Sequence, residues 1–159
     1  MKLFSALLIT LASTVALAMP AVNDSASYDI TFTQGGQTLT GTQDLVITAY
    51  NQATKLYTVK STVTFNGQTQ VKESQTPAEK LLSDAAAEQL MAKCSEQGGA
   101  VTQVTVGAGT LAACAVPVNE NGATGTLYLG TVPFGLIKME VNANGQSMLM
   151  TLRAFNKGS

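Results

Sequence analysis

Three Asn-Gly pairs, Asn66-Gly67, Asn121-Gly122 and Asn144-Gly145, stand between runs in which apolar and polar residues alternate. A two-residue hairpin turn needs φ > 0 at both central positions, and Asn-Gly supplies that most readily. Alternation with a period of two marks a strand with one face buried. Tyr28, Ile30 and Phe32 alternate with Asp29, Thr31 and Thr33. Tyr57, Val59, Val63 and Phe65 share one phase, as do Cys114, Val116 and Val118, then Ile137, Met139 and Val141, and finally Met148, Met150 and Leu152. Gly35-Gly36 and Gly107-Ala108-Gly109 predict further turns, and Val132-Pro133-Phe134-Gly135 predicts a type I turn. In the second strand Val46 and Tyr50 fall out of phase with Leu39, Leu45 and Ile47, which predicts a bulge near Gly41 or a second apolar face. Such spacing dictates antiparallel hairpins and about eight strands.

One segment breaks the rhythm. From Thr76 to Gly99 the chain is rich in Ala, Leu, Lys, Glu and Gln, all strong helix formers. Thr76 as N-cap, Pro77 at the first helical position and Glu79 three residues after the cap predict a helix over about 77–95, stopped by Gly98-Gly99. The predicted fold is therefore mainly β (α+β): a curved antiparallel sheet or open barrel, with the helix packed on its concave face.

The opening residues, MKLFSALLITLASTVALA, place Lys2 before a short apolar run that ends in Ala16-Leu17-Ala18. This pattern is that of a secretory signal peptide, residues 1–18. The run is shorter than the roughly 20 residues a bilayer span needs. The remainder, 19–159, suits one β-rich domain, with the polar stretch Met19–Ser27 expected as a frayed tail. Export is implied, to the periplasm first or the medium second.

The composition removes several functions. Nine basic and ten acidic residues, with Arg153 the lone arginine, make no cationic surface for nucleic acid. No histidine is present, which excludes Ser-His-Asp and Cys-His catalysis and histidine metal sites. The carboxylates are scattered, so a two-carboxylate hydrolase is the residual enzymatic reading. The Gly-rich stretch before Thr110 lacks the Lys-Ser/Thr ending and the helix of a phosphate loop. No cofactor is implied, and the chain is read as no enzyme.

Cys94 and Cys114 are the two cysteines. In an exported chain an even count favours a disulfide. Two buried thiols and a redox pair are the other readings. A thiolate is disfavoured at a helix C-terminus, where Cys94 is predicted to lie.

Met139, Met148 and Met150 fall on the last two predicted strands, and Leu82, Leu90 and Met91 on the apolar face of the predicted helix. Methionine suits adaptable apolar pockets and ordinary cores alike. If sheet and helix leave space between them, these six residues line it.

From Cys94 to the end, the order of a cysteine, Gly98-Gly99, the A-G-T-L-A-A-C hairpin ending at Cys114 and then V-P-F-G resembles uncharacterised exported bacterial β-rich proteins. Leu111 stands where that pattern has an aromatic residue. The layout is similar to the half-barrel of periplasmic lipoprotein carriers, which implies a cavity for lipid. The function expected is a non-enzymatic exported binder of a lipid or other apolar small molecule. The alternative is an envelope protein-interaction module with a solid core.

Overall fold

The computed structural model describes residues 19–120 and 122–158. The predicted signal peptide, residues 1–18, lies outside the described residues. Nine strands form one antiparallel sheet: β1 (Ser25–Gln34), β2 (Gln37–Asn51), β3 (Leu56–Phe65), β4 (Gln68–Pro77), β5 (Ala100–Val106), β6 (Gly109–Glu120), β7 (Ala123–Leu129), β8 (Leu136–Ala143) and β9 (Gln146–Asn156). Their order is β4-β3-β2-β1-β9-β8-β7-β6-β5. The chain lays hairpins outward from the centre, crosses from one edge to the other, and lays hairpins back inward until β9 pairs with β1. This meander is what short turns between amphipathic strands produce.

The turns follow their residues. Gly35 and Gly36, Asn66 and Gly67, and Asn144 and Gly145 all have positive φ. Two expectations are corrected. Gly41 pairs without a break with Ile30 and Phe65, and the irregularity in β2 falls between Ile47 and Ala49. A Cβ at Gly41 would collide with the Phe65 ring, so the glycine makes room for an aromatic neighbour. The slip beyond Ile47 brings Tyr50 opposite Tyr57, their ring centroids 4.4 Å apart. At Val132–Gly135 the Gly135 N–H donates to the Val132 carbonyl (2.9 Å), but Phe134 has φ 62°. A positive φ at the third position is type II geometry, not type I. Phe134 is held there because it packs against both halves of the core.

The described residues hold one α-helix, as expected, but its bounds of about 77–95 are corrected. The crossover contains a 3-10 turn, Ala78–Lys80, then α1 (Asp84–Ala92), then a second 3-10 turn, Ser95–Gln97. Thr76 is no cap: it pairs with Tyr57 in the sheet, and β4 runs on to Pro77. The working cap is Ser83, whose hydroxyl accepts from the Ala86 N–H at 3.2 Å. A good cap signal lost because β4 had a ladder partner for Thr76, and sheet pairing outweighs a cap worth about 1 kcal/mol.

The sheet is unclosed but rolled. β5 approaches β8 and β9, and Val104 of β5 and Ala113 of β6 join Ala26, Tyr28, Ile137 and Leu152 in one buried cluster. β8 pairs with β9 only as far as Thr151, which leaves the Leu152 carbonyl free on that side. The Ala108 N–H at the β5–β6 turn takes it, at 3.2 Å. Gly107 sits so close that a Cβ there would lie 3.1 Å from Arg153 Cα. A second cluster, Ile47, Tyr57 and Val59, is covered by Ala78, Leu81 and Phe134. The crossover and the hairpin tip thus lie on the same, concave face.

Cys94, just after α1, is disulfide-bonded to Cys114 of β6, with Cα atoms 5.6 Å apart. Of the three readings left open by the sequence, the bridge is the one formed. It ties the crossover to the sheet, and Gly99 is needed beside it because a Cβ there would press on both sulfur atoms.

Candidate functional site

Strand register sorts the concave face into rows that run across the strands, since directly paired residues share a face. One row is Val116, Leu127, Met139, Met150, Ile30, Gly41 and Phe65. The next, nearer the Gly35-Gly36 turn, is Val118, Gly125, Val141, Met148, Phe32 and Leu39. Both rows are apolar throughout. Yet only Ile30 among them is fully buried, at 6% exposed, while Leu39 is 41% exposed. Two residues along the same strands, Tyr28 and Leu152 are at 1% and 0%. The floor continues; the cover stops.

Cross-strand pairing therefore brings together three of the six residues expected to line a ligand. Met139 pairs with Met150, and Met148 stands one row on, between Val141 and Phe32. The helical three are elsewhere. Leu82 precedes α1 and lines a recess of about 190 Å³ shared with Met19, Asp24, Asp84, Pro133 and Lys157. Leu90 and Met91 are half-buried on α1 and line neither that recess nor the depression at the Phe32 end of the sheet. That depression, of about 310 Å³, is formed by Phe32, Gln34, Gly35, Gln37 and Leu39. The sequence did not point to Phe32, Leu39 and Phe65 as lining; only cross-strand register reveals them.

The recess beside Leu82 shows that the segment before β1 is not a frayed tail. The Tyr57 hydroxyl donates to the Pro20 carbonyl at 2.7 Å. The Asp24 carboxylate accepts from the Ala21 N–H (2.9 Å) and the Gly158 N–H (2.7 Å). Lys157 pairs with Asp84, the first residue of α1, at 2.9 Å. Polar residues there are spent on local bonds instead of solvent, which a hydropathy pattern does not show.

The chemistry available is sparse. Among the described residues no group of three His, Cys, Asp or Glu could hold a metal, and, the tyrosines apart, no polar or charged side chain is buried. Tyr28 and Tyr57 are the perturbed groups. Burial pushes the Tyr28 hydroxyl well above its ordinary pKa, and it donates to the Leu136 carbonyl at 3.1 Å. Burial also raises Tyr57, helped by the nearby Tyr50 and Asp24. Both are donors to backbone carbonyls, as buried phenols ordinarily are. Arg153, the lone arginine, pairs on the outer face with Asp29 (3.6 Å) and Asp44 (3.4 Å).

No protein-family model matches the chain, and no curated protein matches it in sequence. It is similar in outline to three solved structures. The crystal structure of MucB in complex with MucA(peri) has 14% identity and a TM-score of 0.46, over 86% of this chain and 51% of that one. The Pseudomonas aeruginosa MucA/MucB complex has 12% identity and a TM-score of 0.45, over 85% and 52%. A putative exported protein with a YmcC-like fold from Bacteroides fragilis has 10% identity and a TM-score of 0.49, over 89% and 99%. The chain thus spans about half the length of the MucB chains. No residue role is transferred from any of them. Among the described residues no helix is long and apolar enough to cross a membrane.

Proposed function

We propose that this protein is a non-enzymatic binding protein, exported through its leader to the periplasm or beyond, that takes an apolar ligand on the open rows of its concave face. The observation that supports this reading is the pair of apolar rows from Leu39 and Phe65 to Val116 and Val118, which continue a buried floor past the end of its cover. An apolar band left open in this way marks a binding site. The ligand class follows from the floor. Its side chains are methyls, thioethers and rings, and the backbone groups beneath them are already paired in the ladder. A peptide laid across the strands would leave its own N–H and C=O groups without partners, at a cost of about 1–3 kcal/mol each. A hydrocarbon chain carries no such groups, so a lipid or similar apolar molecule is the ligand. It lies on the sheet rather than between sheet and α1.

The test is native mass spectrometry of the exported protein together with displacement of an apolar dye. Retained lipid, and dye binding lost in Phe32→Asp/Met148→Asp, support the reading. Dye binding unchanged in that variant overturns it.

One observation favours a second reading, the protein-interaction module. The edge strand β5 (Ala-Val-Thr-Gln-Val-Thr-Val) carries no charge, and Val101 is 60% exposed. The opposite edge, β4, carries Lys72 and Glu73, residues that discourage strand addition. Val101→Lys would abolish a partner bound through β5 and leave dye binding intact.

A further inference from the structure

The outer face of the sheet carries a different row. Asn119, Thr124, Asn142, Ser147, Thr33 and Thr38 are paired in succession across β6, β7, β8, β9, β1 and β2. Each is the immediate neighbour of a residue in the outermost apolar row, so the two rows lie back to back on opposite faces. None is charged. Thr33 and Thr38 share a hydrogen bond of 3.2 Å, but the side chains of Asn119, Thr124, Asn142 and Ser147 make no hydrogen bond to another described residue. Turn chemistry demands Asn144, Gly145, Gly35 and Gly36, which have positive φ. It does not demand Asn142 and Asn119, which sit within strands, where asparagine is disfavoured.

The row also has relief. Thr33, Thr124, Asn142 and Ser147, with the turn tips, line a depression of about 430 Å³. A second, of about 360 Å³, adjoins it, shares Asn142 and Ser147, and extends to Thr126, Glu140 and Leu149. The Glu140 carboxylate is positioned there by Lys138 (2.7 Å) and by the Tyr128 hydroxyl (3.3 Å).

We propose that this outer row is a binding site for a neutral polyhydroxylated chain, an extended uncharged glycan lying across the strands. The chemistry matches on three counts. Hydroxyl and amide groups both donate and accept, as sugar hydroxyls require. The one carboxylate in reach already has a cationic partner, so the site offers no net charge to attract an ion. Leu149, 36% exposed, gives the C–H face of a ring an apolar contact. Successive donors recur at the strand spacing of about 4.8 Å, comparable to the repeat of one ring along an extended glycan. The site is independent of the apolar face, since it lies on the other side of the sheet.

The test is a heteronuclear NMR titration of the purified protein with two neutral hexasaccharides, chitohexaose and maltohexaose, at millimolar concentration. One of them should shift the amides of Thr33, Thr124, Asn142 and Ser147 and the side-chain NH₂ of Asn142. Asn142→Val/Ser147→Val substitutes good strand formers, so its melting temperature should match the parent while affinity falls about tenfold or more. Absence of shifts at this row with both sugars would overturn the proposal. So would shifts confined to the Phe32–Met148 face, or affinity unchanged in the variant.

Discussion

The same strands cross two regions of the concave face, and the two regions have opposite fates. At one end Tyr28, Ile47, Tyr57, Ile137 and Leu152 are all at 1% exposure or less. At the other end Phe32, Leu39, Met139, Met148 and Met150 remain half-buried or exposed. Residue type does not explain the difference, because the rows at both ends are mainly apolar, and the polar exceptions, Gln43 opposite Tyr28 and Ser61 opposite Leu45, fall at the covered end. Cover does. The crossover and the β5–β6 tip close one end, pinned by Phe134, the Cys94–Cys114 bridge and the Ala108–Leu152 hydrogen bond. Among the described residues nothing comparable reaches the other. Apolar patterning therefore specifies a face, while the placement of one crossover decides which part of that face is core and which part is left open.

The sharpest way to break this comparison is to truncate one residue from each end of a single strand. Leu152→Ala removes a fully buried side chain from β9 and should cost about 3–4 kcal/mol, as large-to-small changes in closed cores do. Met148→Ala, two rows along the same strand and half-exposed, should cost less than about 1 kcal/mol by the same scale. Urea unfolding of the two variants measures both. Equal losses would mean that the open rows are covered in solution by something else.

Next in size is the tether. Replacing Cys94 and Cys114 by Ala opens a loop of separation 20, a loss of about 3 kcal/mol. The loss should fall on the covered end. Hydrogen exchange should quicken at Val104, Ala108 and Ala113, while amides near Phe32 and Met148 stay as they were. Uniform quickening would show that the two regions unfold as one unit.

These expectations also show what the residues disclosed beforehand. The hairpins were legible because period-two runs and Asn-Gly turns are local statements. The bridge was legible from the cysteine count and the expectation of export. The helix boundaries were not, since Thr76-Pro77-Glu79 is a sound cap whose competitor, the pairing of Thr76 with Tyr57, lies far off in sequence. The candidate site was half legible. Phase alone groups Met139, Met148 and Met150 within their strands, but Phe32, Leu39 and Phe65 enter only through register. Leu82, Leu90 and Met91 were grouped by a helical face that the crossover does not present to those rows.

A smaller effect is expected from Gly107→Ala. The added Cβ would stand 3.1 Å from Arg153 Cα and 3.3 Å from its carbonyl oxygen. Backbone atoms cannot swing aside as a side-chain tip can, so the β5–β6 tip should lift from β9. Overpacking of this kind costs about 1–2 kcal/mol. The readout is the Ala108 amide, whose exchange should rise with loss of its bond to Leu152. A variant in which that amide stays protected would place the closure elsewhere.

The smallest effect is a pH dependence that the covered end has and the open end lacks. Tyr28 and Tyr57 both lie under the cover, and both have pKa values raised by burial. A raised folded-state pKa means that the unfolded chain releases its phenolic protons first. The stability from the two neutral hydroxyls is therefore complete below the unfolded value of about 10 and declines as pH rises from there toward the folded values. Thermal unfolding between neutral pH and pH above about 10 should show a falling midpoint. Tyr57→Phe should flatten that decline. At neutral pH it should lower stability by about 1 kcal/mol, because the Pro20 carbonyl loses its donor.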